Sequence, residues 1–584
     1  MSSTLARRIK NFRNHFKIRS FRSALSSLEA APQFALLGIL AGLCTGLVIL
    51  AFRWVVERTL ILILPNGPES FEQLALADRF LLPTAGAITL ALIFRLLKPS
   101  DRQLGVTHVL ERLQRHQGYI AFRSLVIQFF AGALALVTGQ TGGREGPAIH
   151  LGAATSSLLG QTLKLPNNSM RILIGCGTAA AIGSSFNTPI AGVIFSMEVI
   201  VMEYTIAGFM PVILAAVTGT LIVQQVFGDQ PVFQVPGIGM ESYWDLPWVF
   251  LEGIIIAVLA AGLIRVMLIS HALGPKPIIF RFMLAGLVTA SLGLAVPQVL
   301  GIGYDTVGEA LQGHLPITIL MIIATAKLIS TGVNLGLGMP IGLIGPTLVI
   351  GAVAGGSFWQ LAATFSDTVS DPGFYVILGM GAMMGAALQA PLAALMALVE
   401  LTRNPDIVIP AMACIVIAHI TAANGFGLKS IFHTQATMLG QDLSRNPMSL
   451  ALSRASVESV MSRQFVTTPA LITIDEAKSL LDQLPTWILI KERDYERLLS
   501  AADLNRALLD PERDPELERI DLSDIPGERK NIGKVTWQAT LDEAFDIIAR
   551  DNVEALYVVR VPAPLVEHPV GIILPSDIER FYKS

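Results

Sequence analysis

The 584-residue sequence has little charge and almost no cysteine for its length. Asp, Glu, Lys and Arg make up 15% of the chain and 52% of it is hydrophobic, whereas soluble proteins carry about 25% charged residues. The three cysteines lie in apolar stretches and predict no disulfide framework. No nucleophile triad, metal-ligand cluster or phosphate-binding loop stands in the context that such a site needs. We therefore predict that the protein is not an enzyme, needs no metal or other cofactor, and does not bind nucleic acid.

The sequence contains long apolar stretches without any charged residue. Each is long enough to cross a bilayer as a helix, which takes about 20 residues. Several are broken by proline, and non-helical backbone at membrane depth persists only where protein or a water-filled cavity satisfies its polar groups. Broken helices of this kind indicate a transport path. The uncharged stretches cover residues 34–52, 124–143, 172–197, 284–304, 328–366, 374–399 and 407–428.

Charge is concentrated at the two ends of the chain. Residues 451–584 hold 40 of the 87 charged residues, and seven Lys and Arg precede the first acidic residue, Glu29. A basic segment next to a span stays in the cytoplasm, so we expect a multi-pass protein of the cell membrane with both termini in the cytoplasm. The predicted segments are a basic segment over 1–33, a transmembrane domain over 34–440, a linker over 441–456 and a cytoplasmic domain over 457–584.

One pattern occurs twice in the membrane part. GPAIHLG at 146–152 recurs as GPTLVIG at 345–351, and downstream of each copy a glutamate follows a proline by nine residues. The ordered set predicts two related halves with a site at their interface. The alternative is that membrane helices converge on Gly, Ala and Pro because small residues pack closely.

Two segments predict helix N-termini inside the membrane. TGGREGP at 141–147 and MPIGLIGP at 339–346 place proline where a first helical turn accepts it. The amides at such ends carry about half a positive charge and bind anions without a lysine. Glu145, an acid in an apolar neighbourhood, would compete with the anion for these amides, so moving or protonating it would open the path. The alternative is an ion pair between Glu145 and Arg144 at a membrane surface.

Four motifs in the sequence resemble those of the CLC family of anion channels and anion/proton exchangers. They are GREGP at 143–147, GSSFNTPIAGVIFSMEV at 183–199, GLIGP at 342–346 and GAALQAPLAALMALVELT at 385–402. The resemblance covers roughly residues 34–440. It implies an all-α membrane domain of two inverted repeats with broken helices, forming a homodimer with one pore in each subunit. It also implies that Glu145 is the gate and that the anion is coordinated by backbone amides of Arg144, Glu145, Gly146, Leu343 and Ile344.

The central anion site departs from the family pattern. The first anion-binding motif aligns with QLGVT at 103–107, so that Leu104 replaces the usual serine before Gly105, and Phe432 replaces a tyrosine. Both hydroxyl donors to the central anion are absent, and a charge is costly to strip of hydrogen bonds. We expect weaker central binding, or selectivity for an anion other than chloride.

The inner proton-transfer position also differs. Val199, one residue after Glu198, aligns with the glutamate that carries protons in the exchangers. Because a valine cannot carry a proton, this favours a channel or an uncoupled pathway for a small monovalent anion, with chloride as the default. Proton-coupled antiport through Glu198 or Glu203 is the alternative. A non-conducting sensor regulated by its tail is a third hypothesis.

The C-terminal region resembles a CBS-domain pair, a cytoplasmic α/β domain. The resemblance makes an adenine nucleotide a candidate ligand, since Ser500, Asp503 and Asp577 match positions that contact ribose and phosphate. Leu574 stands where threonine is usual, and a tail that only stabilises a dimer fits equally well. We expect the polar stretch over 515–530 to be a mobile linker.

Overall fold

The computed structural model of the chain describes residues 31–64, 67–233, 235, 238–274, 277–366, 369–441, 447–491, 496–510, 518–563 and 566–583. The basic segment up to residue 30 and residues 442–446 of the predicted linker lie outside this description. The chain divides into two compact units, one made of Phe34–Leu163 with Arg171–Leu443, the other built on Ser444–Ser584.

The larger unit is built of helices, in keeping with its long apolar stretches. Eight helical spans of the described residues are long and apolar enough to cross a membrane. One π-helical segment, Ser196–Val201, directly follows the helix Pro189–Phe195, and another, Thr421–Gly425, directly follows the helix Val408–Ile420. The helices are α1 (Ala31–Ile63), α2 (Leu76–Leu96), α3 (Gly105–Arg115), α4 (Phe122–Val137), α5 (Glu145–Thr162), α6 (Asn167–Phe186), α7 (Pro189–Phe195), α8 (Ile206–Phe227), α9 (Leu246–Leu273), α10 (Ile278–Ala295), α11 (Tyr304–Leu311), α12 (Ile317–Leu337), α13 (Ile344–Ala363), α14 (Pro372–Leu388), α15 (Pro391–Thr402), α16 (Val408–Ile420) and α17 (Ile431–Met438).

The two copies of the repeated pattern adopt the same arrangement. Helices α5, α6 and α7 of the first copy correspond to α13, α14 and α15 of the second. A Cβ added to Gly152 would lie 2.3 Å from the carbonyl oxygen of Gly177, and one added to Gly351 would lie 2.2 Å from that of Gly379. Only glycine allows backbones to approach so closely. The repeat therefore has the same helix contact in each half, and the prediction of an all-helical domain with many apolar helices is confirmed.

The smaller unit is a separate α/β domain with a repeat of its own. Its main sheet has the order β1-β3-β4-β6-β7-β8, and β2 pairs with β5. In each half two parallel strands, β1 with β3 and β6 with β7, are followed by an antiparallel one, β4 or β8. The elements are α18 (Pro447–Leu452), β1 (Phe465–Thr468), β2 (Leu471–Thr473), α19 (Ile474–Asp482), β3 (Trp487–Lys491), β4 (Glu496–Ser500), α20 (Ala501–Leu508), β5 (Arg519–Asp521), β6 (Arg529–Thr536), α21 (Leu541–Asp551), β7 (Ala555–Ala563), β8 (Val566–Ile573) and α22 (Pro575–Lys583).

The prediction of a mobile linker over 515–530 is wrong for part of that range. Strand β5 lies within it and pairs antiparallel with β2, and β6 begins at Arg529. A three-residue strand is too short to show a hydrophobic period, so its partner decides its structure. Residues 515–517 lie outside the described part of the chain.

A capping box fixes the start of α21 and gives a first testable prediction. The Oγ1 of Thr540 accepts a hydrogen bond from the N–H of Glu543 (3.3 Å), and the Glu543 carboxylate accepts one from the N–H of Thr540 (2.9 Å). Thr540→Ala should destabilise the domain by about 1 kcal/mol, measured as faster amide hydrogen exchange in β7 of the full chain. Thr540→Ser keeps the hydroxyl and should behave like the native protein. Equal exchange in the alanine variant would contradict the cap's role.

Candidate anion site

Helices α5 and α13 begin side by side. The N–H of Gly143 donates to the carbonyl of Gly342 and the N–H of Gly342 donates back to that of Gly143, each at 2.8 Å. A Cβ on Gly146 would lie only 2.8 Å from the Cα of Gly342. This two-bond bridge locks the corresponding helix ends of the two repeats together.

The first amides of both helices precede any intrahelical hydrogen bond. The first such bonds run from the N–H of Ala148 to the carbonyl of Arg144 and from the N–H of Thr347 to that of Leu343, both at 3.0 Å. Such orphan amides with aligned peptide dipoles form an anion site. The amides before these bonds belong to Arg144, Glu145 and Gly146 on α5 and to Leu343, Ile344 and Gly345 on α13.

The carboxylate of Glu145 lies in front of these amides. The residue is fully buried, and a Cβ added to Gly345 would lie 2.9 Å from Oε1 of its carboxylate. A Cβ on Gly342 would lie 2.6 Å from Oε2, and the hydroxyl of Tyr304 lies 3.4 Å from Oε1. The side chain therefore takes the place that an incoming anion would take at the start of α13.

Arg144 has another partner. Its Nη1 lies 3.3 Å from Oε1 of Glu57, and its guanidinium lies over the ring of Phe186 at 5.0 Å. The side chain of Arg144 thus pairs with α1, and the carboxylate of Glu145 is left to the helix amides. The alternative of a Glu145–Arg144 ion pair does not match this geometry.

Comparisons with known proteins identify the family. A family model described as voltage gated chloride channel matches residues 85–423. A putative chloride channel protein ClcB-like from Ralstonia nicotianae is 30% identical over 365 residues, which cover 61% of this chain and 84% of that protein. The chain belongs to the CLC family. CLC proteins are anion transporters or channels, so this is an integral, multi-pass membrane protein for anion transport and not an enzyme.

Other CLC proteins share the fold at lower identity. The H(+)/Cl(-) exchange transporter ClcA of Vibrio parahaemolyticus is 27% identical over 301 residues, which cover 50% of this chain and 64% of that protein. The structure of a slow cyanobacterial Cl-/H+ antiporter matches 70% of this chain and 98% of that chain, with a TM-score of 0.61 and 23% identity. A eukaryotic CLC transporter matches 93% of this chain and 97% of that chain, with a TM-score of 0.58 and 17% identity.

A cavity beside the paired helix ends is lined by residues that the sequence predicts for the central anion site. It has a volume of about 370 Å³, and Leu104, Leu343, Ile344 and Phe432 contribute apolar side chains to its wall. Phe432 packs edge-on against Phe195, with ring centroids 6.4 Å apart. Hydrocarbon side chains thus line this cavity at the two positions where the family pattern predicts hydroxyls.

Gly105, which we expected to bind the anion, already has a hydrogen-bond partner. It lies at the start of α3 with φ +76°, in the left-handed region that favours glycine. Its N–H donates to the Oε1 of Gln128 at 2.8 Å, and the same oxygen lies 2.8 Å from Nδ1 of His150. In this state the first amide of α3 is therefore bonded within the protein.

Glu198 acts as a helix cap. Its carboxylate accepts hydrogen bonds from the N–H groups of Leu392 (3.4 Å) and Ala393 (2.8 Å), at the start of α15. Val199 lines a second cavity of about 330 Å³ that also contains Glu198, Phe432 and His433. The predicted inner proton position is thus a valine next to a carboxylate that is engaged with backbone amides.

Glu400 caps α7 in the same way. Its carboxylate accepts from the N–H of Ile190 (3.0 Å) and of Ala191 (2.7 Å). Each glutamate of the repeated pattern therefore caps the helix that begins at the other repeat's proline, Pro189 or Pro391. This reciprocal capping explains why the nine-residue spacing occurs twice.

Removing one of these caps should destabilise the larger unit. Glu400→Ala leaves two N–H groups without their charged acceptor, which should cost about 2–3 kcal/mol and lower the thermal unfolding midpoint of the detergent-solubilised protein. Glu400→Gln keeps one acceptor oxygen and should lose roughly half as much. The exposed Glu241 provides the control, Glu241→Ala. Equal midpoints for Glu400→Ala and Glu241→Ala would rule out a capping role.

The three residues predicted to contact a nucleotide lie at helix starts. Ser500 Oγ accepts from the N–H of Ala502 at 3.3 Å, and Asp503 pairs with Arg506 at 3.2 Å. Asp577 Oδ2 accepts from the N–H of Leu574 at 3.1 Å. These local bonds account for the three residue types, and nucleotide contact stays a prediction.

The sequence analysis missed three residues: Tyr304, which contacts Glu145, Glu69, which contacts Tyr304, and Lys327, which contacts the segment before Tyr304. The available signal was Lys327, the one charged residue of the apolar helix α12, because an intramembrane charge is functional by default. It is fully buried in the structure.

Proposed function

We propose that the protein conducts a small monovalent anion passively, along a path that the Glu145 carboxylate closes. The observation that carries this proposal is the position of that carboxylate, whose oxygens lie beside the backbone of Gly342 and Gly345 at the start of α13. Carboxylate and anion compete for the same amides. The path therefore conducts only when the Glu145 side chain moves away or is neutralised by a proton.

Two features of the inner cavity support transport without proton coupling. Val199 offers no site for a proton, and both carboxylate oxygens of Glu198 accept hydrogen bonds from the start of α15. A proton relay through Glu198 would have to break this cap each time the residue became protonated. That requirement argues against Glu198 as a substitute donor.

Proton-coupled exchange is the second candidate. It is supported by the similarity to relatives named H(+)/Cl(-) exchange transporters. His433, a histidine that lines the same inner cavity as Val199, would have to replace the missing inner acid.

The lining of the central cavity bears on which anion is preferred. An anion between Leu104 and Phe432 must give up water without receiving hydroxyl donors in return, and this penalty grows with the strength of its hydration. We infer that weakly hydrated anions such as nitrate are favoured relative to chloride, and that strongly hydrated fluoride is disfavoured.

We further propose a homodimer in the cell membrane with both termini in the cytoplasm and a CBS pair as the tail. The repeated order of parallel and antiparallel strands in the two halves of the tail supports the pair. The resemblance to the CLC family supports placing Glu145 at the external end of the path.

The decisive experiment measures anion efflux from proteoliposomes under a membrane potential, with a pH probe that records proton movement at the same time. Anion flux without proton movement supports the passive path. Proton uptake against its own gradient, driven by the anion, would replace it with exchange. The absence of any anion flux would favour the hypothesis of a non-conducting sensor.

A further inference from the structure

Tyr304 contacts the gate from outside the two repeated helices. Its hydroxyl donates to Oε1 of Glu145 at 3.4 Å. The ring is 8% exposed and packs edge-on against Phe233, with centroids 5.3 Å apart and planes at 78°. The tyrosine is therefore fixed by its ring, and its hydroxyl is directed at the carboxylate.

The backbone of Tyr304 is held by a carboxylate from another part of the chain. Glu69, between α1 and α2, accepts a hydrogen bond from the N–H of Tyr304 at 2.9 Å. This N–H is one of the orphan donors at the start of α11, so Glu69 caps that helix. Gly303, just before it, has φ +88° and turns the chain into the helix.

A buried lysine holds the segment that leads into Tyr304. The ammonium of Lys327 donates to the carbonyls of Gln298 (3.2 Å), Val299 (3.1 Å) and Gly301 (3.0 Å). Burying a charge in a membrane protein is costly unless the charge is paired or fully hydrogen-bonded. These three bonds fix the turn that places the Tyr304 hydroxyl.

We propose that Tyr304 is a latch that stabilises the closed position of Glu145, and that Glu69 and Lys327 are positioning residues for this latch. The inference rests on Glu145 being the gate, as proposed above. It adds a residue, outside the anion-binding helices, that sets how readily the gate opens.

The latch acts differently on the two protonation states of Glu145. A phenol donates a stronger hydrogen bond to a carboxylate than to a neutral carboxyl group. The hydroxyl therefore stabilises the closed, ionised form of Glu145, and this stabilisation is lost once Glu145 is protonated. The latch therefore lowers the external pH at which the path opens. Because the two oxygens are 3.4 Å apart, the hydrogen bond is weak and the shift in this pH is modest.

Other charged groups surround the latch. Arg144 lies close to the gate and is paired with Glu57. Glu69 faces Asp305, Arg144 and Lys327, and burial, followed by the charge of Asp305, raises the pKa of Glu69. Glu72, on the same connection between α1 and α2, adds a further carboxyl near Asp305. Any pH experiment must therefore distinguish protonation of Glu145 from protonation of Glu69, Glu72 or Asp305.

Tyr304→Phe tests the latch because it keeps the ring and removes only the hydroxyl. In proteoliposomes, the external pH at half-maximal anion flux should rise by roughly 0.5–1 unit, about a three- to tenfold change in proton concentration. Flux at neutral pH should rise accordingly. The matched control is Tyr375→Phe, which removes another buried hydroxyl, bonded to Asp245 and not to the gate, and should leave the midpoint unchanged.

Variants of Glu69 and of Glu145 separate the latch from the gate. Glu69→Ala should shift the midpoint as Tyr304→Phe does, and Glu69→Gln, which keeps an acceptor for the Tyr304 N–H, should shift it much less. Adding Tyr304→Phe to Glu145→Gln should change nothing further, since no carboxylate is left to hold. If Tyr304→Phe kept the native pH midpoint while Glu145→Gln lost its pH dependence, the proposal that Tyr304 is a latch would be wrong and the proposal that Glu145 is the gate would stand. Retained pH dependence in Glu145→Gln would instead overturn the gate.

Discussion

Glu145→Gln should conduct anions at a rate that no longer depends on external pH. Glutamine is nearly the same size as glutamate but carries no charge, so it cannot compete as an anion for the amides of α5 and α13. The native protein should be largely closed at alkaline external pH, and we expect the variant to conduct at least about tenfold faster there, which corresponds to about 1.4 kcal/mol. Efflux of anions from proteoliposomes at a series of external pH values measures the effect.

Another buried glutamate of the same unit provides the control. Glu252 is also fully buried, on α9, and its carboxylate lies beside Gly355 and Gly379 rather than at the start of α13. Glu252→Gln should therefore keep the native pH profile. If Glu145→Gln kept both the native profile and the native rate, the carboxylate in front of α13 would be a structural feature and not the gate.

The position of Glu145 could be predicted because its signals are local. Glycine and proline mark the starts of α5 and α13 within a few residues, and the chemistry of an unpaired helix start does not depend on distant contacts. The recurrence of GPAIHLG as GPTLVIG was equally visible in the sequence, whereas the contact of Gly152 with Gly177 became known only from the structure.

The roles of Glu198 and Tyr304 could not be predicted, because they depend on contacts between distant parts of the chain. Glu198 was a candidate proton donor, and only the packing of α7 against α15 shows that it caps a helix 194 residues away. Tyr304 and Glu145 are separated by 159 residues. A tyrosine at the end of an apolar stretch gives no sign of its partner until both repeats are folded.

Restoring the missing hydroxyls should make the central site bind chloride more tightly. In the double variant Leu104→Ser with Phe432→Tyr, each hydroxyl can donate a hydrogen bond to the anion, and a hydrogen bond to a charged group contributes about 1.5 kcal/mol or more. Chloride affinity, measured by titration calorimetry in detergent, should rise by roughly ten- to a hundredfold. Because nitrate is less strongly hydrated and gains less from the donors, the nitrate-to-chloride flux ratio should fall at the same time.

Enlarging the cavity alone would not reproduce this result. Leu104→Ala with Phe432→Leu opens more space than the hydroxyl pair does but adds no donor, so the anion remains without the hydrogen bonds that replace its water. We expect this pair to leave chloride affinity low and the preference for nitrate unchanged. If it raised chloride affinity as much as the hydroxyl pair, the space beside Leu343 and Ile344, and not the absence of donors, would set the selectivity of this CLC protein.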